Sequence, residues 1–352
     1  MPDINELLNS VEVQDYVQNR QYPLTVGDAL FPVTKTDDFE IEYILGSNNA
    51  PVAASVHAHD TEAQVGSREG FETMKMGLAL IKRKIQMNER LIIALNRARQ
   101  DSEVQQVINR IYNDVDNMVN AVRTRIEAMR YEALSTGRLI LNENGFTGEI
   151  DYRIPDEHRE DLSGTDLWSD DGANPLDDIE RFVDQIVSDT GNTPTRILTS
   201  RKVFNALKRH DTVRTGIYGV NSARVVTNGE LNSFLQGQGL PAIATEDRVY
   251  RVQRNDGSYE TRRYFPENAL VVMPGEALGQ TVYGVTAEEV ELRNITGSQF
   301  QNYGNIIAQI YSTNDPVARW TKAVAKAMPS FPTANQIYIA NVLGGVSGGV
   351  EG

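Results

Sequence analysis

The stretch WSDDGANPLDDIERF, Trp168 to Phe182, gathers Asp170, Asp171, Asp177 and Asp178 around Gly172, Asn174 and Pro175. Carboxylates at that density could hold a hard cation or share a proton in acid–base work. A calcium loop of the EF-hand type needs carboxylates at positions one, three and five and glycine at six. Counting from Asp170 puts Gly172 at position three, so the pattern fails. A helix start accounts for the same residues: Asn174 suits the N-cap, Pro175 the first turn, and Asp177 and Asp178 the positive end of the helix dipole.

The other reactive types are sparse. His57 and His59 could share one strand face as metal ligands, but no third ligand lies near them in sequence. His158 and His210 stand alone, which leaves a serine or acid–base constellation without an anchor. GVSGG, Gly345 to Gly349, matches the nucleophile-elbow pattern, yet only Val350, Glu351 and Gly352 follow, where a helix and a later acid and histidine are required. GQGLPA, from Gly237, lacks the third glycine of a dinucleotide loop, and no phosphate-binding G-x-x-x-x-G-K-[ST] occurs. With zero cysteines, thiolate zinc sites, disulfides and cysteine nucleophiles are excluded. No catalytic, cofactor-binding or metal residue is assigned, and no cofactor is expected.

The elements that would position such residues follow from length and patterning. The 352 residues suit roughly two domains, and 40% are hydrophobic without an apolar run long enough to cross a bilayer, as expected of a soluble, globular chain with no membrane partner. The start of the chain lacks the basic head and apolar stretch of a secretory signal. Forty-eight acidic against 34 basic residues give a net charge of -14, which disfavours general binding to nucleic acid. KRK, Lys82 to Lys84, is the best local basic patch and reads as a solvated strand face.

Ile4, Leu7, Leu8 and Val11 suggest a short helix, and Phe39, Ile41 and Tyr43 alternate with acids as in a strand. Residues 47–86 read as a long hairpin-like excursion that needs a partner to bury it. After a shorter candidate helix around 88–99, apolar residues from Val104 through Met129 keep helical spacing across residues 102–136. Ser102 with Gln105 forms a capping box, and Gly137 supplies a left-handed stop. That helix would be about 50 Å long. A hairpin follows, turning at Asn144-Gly145, and then a helix and strand alternation: a helix face from Leu176 to Val187, a strand at RILTS, a helix at Val203, Phe204 and Leu207, a hairpin around Asp256-Gly257, and a buried strand ALVVMP. Residues 211–240 read as a large loop region. IYIANV reads as a closing strand before a flexible glycine tail.

In this order of parts the chain resembles the tailed-bacteriophage major capsid proteins of the Hong Kong 97 fold, and more narrowly the lambda-type capsid protein E family. Trp168 with the loop that opens LDDIERF, YFPENALVVMPG with Tyr283-Gly284 after it, and TNDPVARWTKAVAKAMPSFPTANQIYIANV carry the resemblance. It implies an α+β fold: an N-terminal arm (1–46), an extended loop (47–86), a peripheral domain (87–155) with its spine helix (102–136), an axial domain (156–304), a return to the peripheral domain (305–345) and a tail (346–352). It implies a non-enzymatic subunit of an icosahedral head, assembling with itself as hexamers and pentamers around double-stranded DNA that it encloses without specific binding. The virion capsid is the implied location, with assembly in the host cytoplasm. Implied partners are a portal protein, optionally a decoration protein, and a separate scaffolding protein, since the arm begins at once. No residue here matches the lysine and asparagine cross-link of some relatives. The alternatives are an encapsulin-like compartment and a soluble α/β enzyme.

Overall fold

The computed structural model describes residues 9–38, 40–45, 72–87, 93, 101–143, 146–220, 222–254, 256–296, 304–314 and 317–344. In chain order, helix α1 (Ser10–Asn19) and the short α2 (Val26–Leu30) lead into strands β1 (Val33–Thr36), β2 (Glu40–Leu45), β3 (Glu72–Gly77) and β4 (Ala79–Met87). Helix α3 (Asp101–Thr136) is followed by β5 (Arg138–Glu143), β6 (Phe146–Asp151) and β7 (Arg159–Asp161). Then come α4 (Pro175–Thr190), β8 (Arg196–Thr199), α5 (Arg201–Arg209), α6 (Asp211–Tyr218), α7 (Asn228–Gly237), β9 (Ala242–Thr245), β10 (Val249–Gln253), β11 (Tyr259–Arg263) and β12 (Ala269–Met273). The chain closes with β13 (Gln280–Gly284), α8 (Ala287–Thr296), β14 (Ile307–Asn314), β15 (Val317–Ser330) and β16 (Tyr338–Asn341).

Two compact units result. The described residues within Met1–Ile41, Lys75–Met129 and Gln280–Ser330 form the first. Its sheet runs β1-β13-β15-β14, with β4 also paired to β15. The long strand β15 organises it: Ala327 back to Arg319 lies opposite Ala79 to Met87, while Val324 back to Val317 lies opposite Ile307 to Asn314. Pro329 is tolerated because β4 pairs no further than Ala327, leaving no ladder bond for Pro329 to break on that side. Ala323, Ala325 and Ala327 are fully buried and share a core with Ile111, Val115, Met118, Val119, Val122 and Ile126 of α3. Small side chains on the strand allow the helix to approach the sheet closely, and the apolar stripe of α3 excludes water from both.

The described residues within Glu42–Met74, Arg130–Gly279 and Phe331–Gly352 form the second unit. Its sheet runs β7-β16-β12-β8-β9. Strand β12 is buried along its whole length and antiparallel to both neighbours, whereas β7 and β9 join in parallel at the edges. Trp168, Ile179, Phe182, Phe204, Leu207, Leu231 and Leu235 pack with Leu270, Val272 and Tyr338 as its core. β5 pairs with β6, and β10 with β11, as separate two-stranded ribbons; β2 and β3 likewise pair with each other.

Several expectations hold. The long helix ends where Gly137 takes φ 66°, with its N–H on Ala133 O at 2.9 Å. Gly257 turns the β10–β11 hairpin at φ 84°, and Lys82 and Lys84 are exposed on β4. Other features differ. The arm carries a helix at Ser10–Asn19, started by the Asn9 side chain, which accepts from Val11 and Glu12 N–H at 2.9 Å; Ile4, Leu7 and Leu8 of the expected short helix lie outside the described residues. Helix α3 already includes Ser102, so that residue is not its N-cap. Residues 79–87 are no part of an excursion; they are a strand of the first unit's sheet. The region 211–240 contains α6 and α7, the latter started by a capping box between Thr227 and Glu230. Residues 280–296 group with the first unit rather than with 156–279, and the 305–345 stretch divides, β14 and β15 serving one sheet and β16 the other. The candidate helix at 88–99, the Asn144-Gly145 turn and the glycine tail from Gly345 lie outside the described residues, Ile93 excepted.

A methyl group added at Gly137 would fall 2.5 Å from Ile154 Cδ1 and from an Arg159 guanidinium nitrogen, on a backbone that side chains avoid. Gly137→Ala is expected to destabilise the second unit by at least about 1 kcal/mol. Urea unfolding of the unassembled chain measures this; an unchanged midpoint would contradict it.

Candidate functional site

The aspartate stretch is a stitched entry to α4. Trp168 is 1% exposed, its backbone N–H bonds Val342 O at 2.9 Å, and its indole N–H donates to Asp178 Oδ2 at 2.9 Å. Arg181 donates to Asp178 Oδ1 at 2.7 Å and also to Glu160 of β7. Glu160 accepts in turn from the Tyr338 hydroxyl at 3.0 Å, and the Tyr338 ring stacks on Phe182 with centroids 4.5 Å apart. Burial, with Glu160 beside it, raises the Tyr338 hydroxyl above its ordinary range. Burial works against the Arg181 charge, but hydrogen bonds to Glu160 and Asp178 outweigh it and hold the guanidinium charged. Asp170 turns inward on its own loop, accepting from Gly172 N–H at 2.9 Å.

Asn174 occupies the cap position of α4 with Pro175 in the first turn, as the sequence suggests, but its side chain does not cap. Its amide donates to Asp177 Oδ2 at 2.6 Å instead. Among the described residues no three His, Asp or Glu side chains are grouped to hold a metal ion.

The two described histidines are structural members of the second unit. His158 is fully buried, with Nε2 2.9 Å from Asp189 Oδ2 and Nδ1 3.1 Å from Ile337 O. Hydrogen bonds from Gln185 and His158 hold the Asp189 carboxyl below its usual range. His210 fixes the Asp170 loop through Nε2, 3.0 Å from Asp170 O, while Nδ1 lies 2.8 Å from Thr212 Oγ1. His57, His59 and GVSGG lie outside the described residues. GQGLPA covers the end of α7 and the turn at Gly239, with φ 79°.

Sequence reasoning missed three carboxylate anchors. Asp116 on α3 accepts from the Tyr16 and Tyr22 hydroxyls, each at 2.9 Å, and lies 3.3 Å from Arg20, tying the arm to the helix. Burial, then the hydrogen bond to Asp116, raises the Tyr22 hydroxyl. Glu289 holds Lys35 at 2.8 Å and Arg293 at 2.7 Å. Glu246, 5% exposed, accepts from Tyr131 at 2.7 Å and from Arg248 through Nε and Nη2. Burial pushes the Glu246 carboxyl up, but hydrogen bonds from Arg248 and Tyr131 prevail and hold it below its usual range. No spacing rule finds these anchors, since Tyr16 and Asp116, or Tyr131 and Glu246, meet only in the fold. No helix among the described residues is long and apolar enough to cross a membrane.

A sequence profile of the family Phage major capsid protein E matches residues 9–342. The chain belongs to that family and is a structural subunit of a phage capsid shell, not an enzyme. Among solved structures, a prophage capsid protein of Escherichia coli CFT073 is similar at 15% identity and TM-score 0.64, over 95% of this chain and 99% of that one. A phage-related protein of Bordetella bronchiseptica RB50 is similar at 12% identity and TM-score 0.57, over 96% and 98%. Both share the fold, so the α+β capsid architecture expected from the resemblance holds. No curated protein matches the chain.

Because the Glu246 pKa is depressed in the folded state, its contribution is present above the unfolded carboxylate range of about 4.3 and is lost as pH falls through the folded value. Glu246→Gln is expected to cost about 1–2 kcal/mol at pH 7 and much less at pH 3. Thermal melts at the two pH values test this; a gap that does not narrow in acid would refute it. Asn174→Ala, lacking a cap to remove, should change stability by less than about 0.5 kcal/mol in the same melts.

Proposed function

We propose that this member of the phage major capsid protein E family builds an icosahedral head as hexamers and pentamers, enclosing double-stranded DNA. The unit built on α3 and the β15 sheet serves as the peripheral domain, and the unit built on the β12 sheet as the axial domain. The β2–β3 ribbon belongs to an extended loop laid over a neighbouring copy. The observation that carries this reading is the β2–β3 ribbon, whose strands pair only with each other among the described strands. A two-stranded ribbon is marginal in water by itself and becomes stable when another surface covers it. Assembly supplies that surface, and the exposed pairing edges that would be a hazard in a monomer become contacts between copies. The net charge of -14 suits a wall that holds DNA without adhering to it.

The further partners are a scaffolding protein, a portal and, optionally, a decoration protein, with assembly in the host cytoplasm. Expressed alone, the chain is expected to give polydisperse assemblies, and closed shells of one size when co-expressed with its scaffolding protein. Sedimentation velocity and electron microscopy distinguish these. Uniform shells from the chain alone would remove the scaffold from the account, and a strictly monomeric chain would remove the shell.

A further inference from the structure

The β10–β11 ribbon belongs to the second unit and presents one open face. Val249, Arg251 and Gln253 on β10, and Tyr259, Thr261 and Arg263 on β11, all point to it and are all exposed. Val249 is 54% and Tyr259 55% exposed, while the alternate residues Tyr250, Val252, Glu260 and Arg262 are half-buried on the other face. Tyrosine and arginine beside an exposed aliphatic side chain is the composition of an interface centre rather than of a solvated ribbon. Arg263 is already neutralised by Asp247 at 3.4 Å and Glu267 at 3.6 Å. Arg251 lies over the Tyr259 ring at 5.3 Å and has no carboxylate partner among the described residues.

Helix α4 carries the complementary surface. Asp177, Glu180, Asp184 and Ser188 recur at helical spacing along one exposed face and line a shallow groove with Gln185 and Arg181, whose charge is already met by Asp178 and Glu160. Asp177 is engaged by Asn174, but Glu180 and Asp184 have no cationic partner among the described residues. Asp116, Asp178, Glu246 and Glu289 are each held by two or more donors, whereas Glu180 and Asp184 on α4 and Arg251 on β10 are exposed charges of opposite sign without an ion pair among the described residues.

We propose that the open face of the β10–β11 ribbon docks on the α4 groove of a second copy of this chain, with Arg251 of one copy against Glu180 and Asp184 of the next. This rests on the shell reading above. The contact joins two different surfaces, so each copy offers both halves, and repetition closes a ring when the rotation per copy divides the circle. Tyr259 and Val249 would bury beside the ion pair and exclude water from it, which strengthens the attraction relative to an exposed pair.

The test is charge reversal in the full chain, with the assembled fraction read by sedimentation velocity and the fold of unassembled material by circular dichroism melting. R251E, and separately E180R/D184R, are expected to lower the assembled fraction by about tenfold or more, with unchanged melting of the subunit. The triple variant, R251E with E180R/D184R, is expected to recover most of it. Wild-type assembly together with unaffected R251E and E180R/D184R variants, or a triple variant as defective as R251E, would overturn the pairing and leave the shell reading standing. A wild-type chain that does not assemble would overturn both.

Discussion

Strand pairing between segments far apart in the chain is the constraint on which both units depend. The first sheet exists only when β15 returns to lie between β4 and β14, placing Lys322 opposite Lys84 across more than half the sequence. The second is completed only when β16 returns to β12, placing Ile339 opposite Val271. Loop-closure entropy must be spent before such contacts reward the chain, so the sheets form late and the long helix, whose bonds are local, can form early. The alanines of β15 then decide how near α3 can lie, and the fully buried β12 decides that helices must cover the second sheet.

Side-chain anchoring is layered on that frame, and acids carry most of it. Asp116 gathers the arm, Glu246 gathers Tyr131 and Arg248, and Asp178 with Glu160 clasps Arg181 between the Trp168 loop and the closing strand. Each takes several donors, so the carboxylates are satisfied within the fold. A cluster that resembles a cation site in sequence is, in space, distributed among a loop turn, an indole, an arginine and an amide. The excess of negative charge is thus partly fold chemistry and partly solvated surface, both compatible with a shell wall.

What was legible in the sequence is what local rules govern. The apolar stripe of α3 and its glycine stop, the turn at Gly257 and the alternation of β10 and β11 are local signals, and each lies where the sequence places it. The start of α4 was legible in position but not in mechanism, because only the fold sets whether Asn174 turns its oxygen to the helix or its amide to Asp177. Helices α6 and α7 were hidden by their glycines and asparagines, although Thr227 with Glu230 is a capping signal written in the sequence. Strand β15 was hidden because alanine and lysine favour helices, and its burial between two strands overrides that preference. The division of residues 305–345 between two sheets leaves no local trace at all.

The account's central claim is that this chain is completed by its neighbours, and the most direct measurement is an electron-microscopic density map of the assembled particle in which each copy is traced. The account predicts that the β2–β3 ribbon lies across an adjacent copy. A trace in which that ribbon packs only on its own subunit, with no neighbour beneath it, would contradict the account.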